Sequence, residues 1–328
     1  MKVSVIRPRE LGPAERQHWE TFAQDPSLGS PFLAWEFAEA IGQVRDDARV
    51  AVVEEGTHLQ GFLAFQAGDD HVGGPVGATI GDSQAFVGQP GWNFDARSLV
   101  EGAGLSCWHF DHLVVSQAPF APYHHRRHRS PVVDLRGGYR QFLEEVGAHS
   151  RDLLAQVGRR RRKLEREVGP VVCEWRSARP GDDMVQLQRW KSEQYARTGV
   201  WDRFAHPWIA DALNALAGTE SASCTGVLTA LRAGDRLAAA HFGLLGRDRL
   251  SWWFPAYDPD LGRYSPGLIL LLDLIGQAAE HGVGMVDLGR GEHDYKLRFT
   301  RRHYEVAEGV VEWNHGSGSN PDGGPCPH

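Results

Sequence analysis

Between Tyr257 and Phe299 the chain gathers side chains that can hold anions and move protons. Tyr257 ends an aromatic run, Leu250-Ser-Trp-Trp-Phe-Pro-Ala-Tyr257, and the turn Asp258-Pro-Asp-Leu-Gly-Arg263 leads into Ser265-Pro266-Gly267. Asp287, Glu292, Asp294, Lys296 and Arg298 follow. Serine as a cap and proline at the first helical position open a helix, and Gly282 stops it, so a helix is expected from Ser265 to about His281. Its first N–H groups lack partners within the helix and carry a partial positive charge, which suits an anion. Gly284-Met-Val-Asp-Leu288 reads as a strand, and Asp287 falls at its end, where ligands gather in α/β sheets. The segment is thus a βαβ unit, closed by a Gly-rich charged loop. If the ending Tyr295–Phe299 is extended, Tyr295, Leu297 and Phe299 share one face and Lys296 and Arg298 the other. The plain outcome is a strand with its cations in solvent; the functional one turns Lys296 into the cleft.

The elements that position this unit occur in two halves. Ala48 to Phe65 reads as a hairpin turning near Gly56, and Thr225 to Phe242 as another turning at Gly234-Asp235. Each follows helical stretches: Pro13–Gln24 and Ala34–Val44 before the first, Asp183–Thr198 and Pro207–Ala217 before the second. Two related modules in tandem are expected, α/β in class with mixed α+β character. Phe142 to about Val168 reads as one helix or two, with Gly158 a possible break. Val72-Gly-Gly-Pro-Val-Gly77 reads as a loop between strands. The tail from His315 to His328 cannot bury apolar surface and is expected to be disordered.

Composition excludes several classes. The 328 residues, 41% hydrophobic and 23% charged, are those of an ordinary globular protein with ample core. Cys107, Cys173, Cys224 and Cys326 lie far apart, so neither a disulfide framework nor a zinc knuckle is suggested. Tyr123-His-His-Arg-Arg-His-Arg129 is not expected to bind metal, because its arginines repel a cation and no carboxylate completes a set. No signal-peptide core opens the chain, and Leu268–Leu272 is too short to span a bilayer, so a cytoplasmic location without membrane attachment is expected. A net charge of −7 argues against general nucleic-acid binding. Arg159–Lys163 with Arg166 nevertheless form a basic run. Such a run is usually a solvated helix face; a phosphate-binding patch for a cofactor or carrier is the alternative.

Taken in order, several segments resemble a known family. They are the basic helix Arg159–Glu167 closing at Gly169, the helix carrying Trp190-Lys191, and the hairpin ending Ala239-Ala-His241-Phe242. The helix start Tyr264–Gly267, the segment Asp287-Leu-Gly-Arg-Gly291 and the ending Tyr295-Lys296-x-Arg298-Phe299 complete the set. Together they resemble the CelD-type, cellulose-biosynthesis-associated branch of the GNAT acyltransferase superfamily, a relative of the FemAB peptidyltransferases. The resemblance implies two GNAT-like modules, each a mixed, splayed central sheet flanked by helices. It divides the chain into 1–157, without cofactor, 158–313, with the acyl-CoA site, and a tail 314–328.

In that fold an acyl-CoA arm slots between two splayed parallel strands, here Leu250–Tyr257 and Gly284–Leu288. Phe254, Ala256, Arg263, Tyr264, Ser265, Pro266, Gly267 and Leu268 then surround the donor, acetyl-CoA or a longer acyl-CoA. Pro255 marks an edge or bulge, as a splayed strand requires. Pro266 removes one N–H, and the superfamily's usual Gly-x-Gly turn is missing. Acyl transfer to an amine needs a base, oxyanion donors and an acid for the leaving thiolate. Tyr257 is the candidate acid, Asp287 a candidate base, and Glu292 and Asp294 are alternatives. His241 is a candidate for facing the substrate, with a satisfied core histidine as the plain outcome. Lys296 matches a lysine that FemAB-type enzymes place near the transferred group. Trp190, Lys191, Trp252, Trp253, Tyr295 and Arg298 are candidates for binding the acceptor, an amine of a small molecule, sugar or peptide. The alternatives are an aminoacyl-tRNA-dependent transferase, or a degenerate, non-catalytic binding protein; oligomeric state is left open.

Overall fold

The computed structural model describes residues 1–312, so the tail expected to be disordered lies outside the described residues. The first half runs β1 (Lys2–Ile6), α1 (Pro13–Phe22), α2 (Trp35–Val44), β2 (Ala48–Glu55), β3 (His58–Ala67), β4 (Val72–Pro75), β5 (Val87–Gly88), α3 (Ala96–Gly102), β6 (Cys107–Val114) and β7 (His124–Asp134). Two helices, α4 (Gly138–His149) and α5 (Arg151–Glu167), join it to the second half. There follow β8 (Val171–Glu174), α6 (Pro180–Thr198), α7 (Pro207–Ala217), β9 (Thr225–Ala233), β10 (Arg236–Gly246), β11 (Arg249–Ser251), β12 (Phe254–Tyr257), α8 (Pro266–Glu280), β13 (Met285–Asp287), α9 (Asp294–Phe299) and β14 (His303–Glu312). Among the described residues no helix is long and apolar enough to cross a membrane.

All strands join one sheet, ordered β1-β2-β3-β4-β6-β14-β7-β13-β11-β10-β9-β8, with β12 beside β10 and β5 beside β3. The order is nearly the same read from either end. Each half contributes an antiparallel hairpin, β2–β3 or β9–β10, and one parallel pair, β4–β6 or β11–β13. The hairpins turn at Gly56 and Gly234, both with positive φ, as the sequence leads one to expect. At the centre the halves exchange strands: β14 pairs with β6 and β7 of the first half, and β7 pairs with β13 of the second.

The core also crosses between halves. Phe32, Phe37 and Ile41 pack in one cluster with Leu213, Phe242 and Trp253. Phe32 meets the Trp253 ring edge-on at 5.0 Å, and Trp253 Nε1 donates to the Ile80 carbonyl at 2.9 Å. Each large apolar side chain buried here contributes roughly 1.5–3 kcal/mol, so separating the halves would be costly.

Three local expectations are corrected. The helix break falls at Ser150 and not at Gly158, which lies inside α5. A mid-helix glycine costs only about 1 kcal/mol, and burial of Leu153, Val157 and Leu164 outweighs it. The stretch Val72–Gly77 is not all loop: β4 pairs parallel with β6. A Cβ on Gly73 would lie 2.6 Å from Leu105 Cδ1, so the glycine permits that close approach. Tyr295–Phe299 is not extended but helical, because Lys296 and Phe299, three residues apart, are both buried on one helix face.

Candidate active site

β11 and β13 run parallel through Ser251 opposite Asp287, and Trp252 N–H donates to the Asp287 carbonyl at 2.7 Å. Beyond that rung the strands part. Trp252-Trp253 interrupts the expected single strand, and β12 pairs with β10 alone, Pro255 standing opposite His241. Pro255 has no N–H to continue a ladder toward β13. A cleft of about 930 Å³ opens beside the parting strands, bordered by Pro255–Tyr257 on one side and Leu288–Gly291 on the other.

One end of the cleft is the start of α8. Ser265 precedes it in the left-handed conformation, with φ 51°, and its side chain makes no cap. The hydroxyl instead accepts from Arg160 Nη1 of α5 at 2.5 Å. Pro266 carries no N–H, and Leu268 and Ile269 N–H already bond to the Ser265 carbonyl. Gly267 N–H remains as the donor that the helix start offers. Tyr257 stands beside it: a Cβ on Gly267 would lie 3.6 Å from Tyr257 Cδ1. Arg159, Arg162, Lys163 and Arg166 are exposed along α5.

The other end is built by both halves. Lys296, only 5% exposed, donates to the carbonyls of Gly289 at 2.9 Å and Arg290 at 3.0 Å. An ammonium has three N–H bonds, so one remains for a ligand. Burial pulls the Lys296 ammonium down to about 8, against the opposing pull of Asp82 and Asp287. Asp82 comes from the first half, in the segment after β4. A Cβ on Gly289, whose φ is 75°, would lie 3.4 Å from Asp82 Oδ2 and 3.9 Å from Lys296 Nζ, so carboxylate and ammonium both face this glycine. Burial holds the Asp82 carboxyl above the ordinary carboxylate range, although His112 and Lys296 pull the other way.

His112, on β6, completes the group. Its Nδ1 lies 2.9 Å from Asp111 Oδ1, and its Nε2 lies 4.0 Å from Asp82 Oδ1. Burial opposes the imidazolium, but the bond to Asp111 and the charges of Asp82 and Asp111 outweigh it and raise the pKa. Arg290 ties the walls together, donating to the Asp111 carbonyl at 2.8 Å and to Glu308 Oε2 at 2.8 Å.

The cleft brings together Tyr257, Ala256, Ser265, Gly267, Leu268, Lys191, Trp252, Trp253, Tyr295 and Lys296 of the candidates named from sequence. Others fall outside its lining. Asp287 is buried and held from within the protein: it accepts from Ser130 Oγ at 3.1 Å, Tyr304 Oη at 2.6 Å and Gly289 N–H at 2.9 Å. His241 is fully buried, stacks on Trp252 at 4.4 Å, and is driven down to about 3 by burial, so it is a neutral core histidine. Glu292 pairs with Arg129 at 3.2 Å in solvent, and Asp294 sits in the first turn of α9. Arg263 donates to Tyr264 Oη at 2.6 Å, which in turn donates to Glu167 at 2.7 Å. Pro266, Phe254 and Trp190 are buried in packing, and Arg298 donates to Gln156 at 2.9 Å. Asp82, Asp111, His112 and Arg203 were missed from sequence. The available signal was weak: the left-handed Gly77 and the following Gly81 mark a constrained turn just before Asp82.

Residues 151–297 match the acetyltransferase (GNAT) domain. No curated protein matches the chain. Among solved structures, FemX is 11% identical with a TM-score of 0.60, over 94% of this chain and 96% of that one. A conserved protein of unknown function from Bacteroides thetaiotaomicron is 10% identical with a TM-score of 0.56, over 92% and 98%. A tandem GNAT protein from the clavulanic acid biosynthesis pathway is 11% identical with a TM-score of 0.50, over 95% and 98%. At these identities the likeness is one of fold. The chain has the architecture of two GNAT modules in tandem, and the second carries the match to the acetyltransferase domain.

Proposed function

We propose that this protein is an acyl-CoA-dependent N-acyltransferase of the CelD-type branch, moving an acyl group to an amine of a small molecule, amino sugar or peptide. Residues 158–313 are assigned the donor site, and 1–157 the acceptor wall. The observation that carries the reading is the cleft itself, where parting strands run from an open helix start to an ammonium and a carboxylate that both face Gly289. Gly267 N–H, Ser265 and Arg160 fit an anion at the α8 end, although Pro266 leaves fewer donors than a pyrophosphate could use.

When bound, the acyl-CoA supplies the thioester carbon that the amine attacks. Asp82, made more basic by burial, takes one proton from the incoming ammonium, His112 with Asp111 holds the charge around it, and the attacking nitrogen gives up its second proton to solvent as the tetrahedral species collapses. The remaining N–H of Lys296 points its charge at the carbonyl oxygen as negative charge develops there. Tyr257 donates its hydroxyl proton to the departing thiolate, leaving a tyrosinate that solvent reprotonates.

Thermal unfolding with acetyl-CoA, longer acyl-CoAs and free CoA tests the donor. At a hundredfold excess over the dissociation constant a true ligand adds about 2.7 kcal/mol. A shift that varies with acyl length supports the reading, and the absence of any shift with every thioester removes it. One observation favours a second reading, an aminoacyl-tRNA donor: the exposed arginines and Lys163 of α5 lie beside the same helix start. Binding that falls steeply with salt would select it.

A further inference from the structure

A second pair of cations lines the cleft without an ion pair, and the Asp82 carboxylate acts on Arg203 only from beyond that range. Lys191, on α6, is 8% exposed, and its Nζ donates to Gln194 Oε1 at 3.2 Å. Arg203 follows the left-handed Gly199 that ends α6, and its Nε donates to the Thr79 carbonyl at 3.4 Å. Both cations flank one ring: Lys191 Nζ lies 5.1 Å, and Arg203 Cζ 5.5 Å, from the centre of Tyr195. Among the described residues no carboxylate lies within 4.0 Å of either cation. Asp202, the neighbour of Arg203, turns its Oδ1 to Ser192 Oγ at 3.2 Å and Phe204 N–H at 3.0 Å and forms no ion pair with either cation.

A buried ammonium without a counter-ion is costly, and a second cation beside it makes it more so. Burial, with Arg203 adding to it, brings the Lys191 pKa down to about 8. Such an arrangement is relieved by a bound anion. Its position relative to Asp82 is fixed by the chain: Arg203 is bonded to Thr79, three residues before Asp82 in the same segment. An anion-holding pair and the proton-accepting carboxylate therefore stand next to one another in one cleft.

We propose that Lys191 and Arg203 form an anion subsite, and that the acceptor is an amine which itself carries a carboxylate or phosphate group. The acid group is held by the two cations and the amine is delivered to Asp82. The amine assignment rests on the transferase reading, whereas the anion subsite stands without it.

Two measurements separate them. The first follows the Lys191 side-chain signal by NMR as pH is raised, with and without acetate or inorganic phosphate. The expected result is an upward move of its midpoint in at least one anion, abolished in Arg203→Gln; a midpoint indifferent to both anions overturns the subsite. The second compares β-alanine with propylamine, and O-phosphoethanolamine with ethanolamine, by binding and by thiol release from acetyl-CoA. The acid-bearing member of at least one pair is expected to be preferred about tenfold or more in binding. Lys191→Met and Arg203→Gln should each erase that preference. Equal binding within both pairs, or a preference that survives both substitutions, overturns the proposal. Preference in binding without thiol release supports the subsite and counts against the transferase. Which pair shows the preference tells carboxylate from phosphate, and Arg203→Gln lies at a half-buried position where loss of folding does not confuse the result.

Discussion

Asp82 and Lys296 belong to different halves, yet their charged groups face the same glycine, Gly289. Lys296→Ala should lower kcat by about a hundredfold to a thousandfold, the usual effect of losing an oxyanion donor, with the fold retained by circular dichroism. Asp82→Asn should cost about a hundredfold to ten-thousandfold in kcat. The pH profile has a sign for each group. Lys296 works as a cation, so activity should fall as pH rises through about 8. Asp82 works as an anion, so the acid limb should lie above the ordinary carboxylate range. Lys191 makes a different statement, about stability. Its folded pKa of about 8 lies below the ordinary 10.5, so the unfolded chain binds the proton more tightly. The cost is full below pH 8 and disappears as pH rises toward 10.5. Lys191→Met should therefore raise the unfolding temperature at neutral pH, by about 1–2 kcal/mol of stability, with no gain above pH 10.5. At this scale the sequence was readable where the cleft is contiguous: Tyr257, Gly267 and Lys296, near one another in the chain, line it together. It was unreadable across the cleft, because nothing near Asp82 or His112 says which distant residues they will meet. Asp287 and His241 have the right residue types, but Asp287 is engaged in three internal hydrogen bonds and His241 is enclosed in the core, and residue type encodes neither.

Among the elements, α5 and α8 set the end of the cleft proposed to take the donor. Arg160 reaches Ser265 at the start of α8, and both lie where phosphates would be held. Arg160→Ala should weaken binding of free CoA and acyl-CoA equally, by about tenfold, since the phosphates are common to both. If Arg160 served only to tether Ser265, Ser265→Ala would reproduce the loss, and comparing the two by calorimetry decides it. Helix starts and hairpin turns were legible because proline and glycine carry a local backbone requirement. Both hairpins and α8 fall where those residues put them. α9 was not legible, since a six-residue segment alternating apolar and charged fits a strand as readily as a helix until its burial is known. The interruption at Trp252-Trp253 was equally hidden, because an aromatic run reads as one strand. Yet that interruption is what parts β12 from β13.

For the whole molecule, the duplicated pattern of helices and hairpin announced two modules, and the sheet order bears out that tandem plan. What no local pattern announced is the exchange of strands at the centre. His128 and Glu308, on paired strands, meet at 2.9 Å although 180 residues separate them. The exchange and the shared core predict one cooperative unfolding transition, moved by substitutions in either half, such as Phe37→Ala or Phe242→Ala. A chain ending at residue 302 should lose structure in its first half as well as its second. Two separated calorimetric transitions, or a first half that folds alone, would refute this. The exchange also imposes an order on biosynthesis. The first half leaves the ribosome with the neighbouring edges of β6 and β7 unpaired, and they stay so until the residues of β14 are made. Throughout that interval two strand edges are open to any other nascent copy, whose own β14 fits as well as the missing one. Crowded synthesis should therefore yield domain-swapped dimers, and slow dilution the monomer.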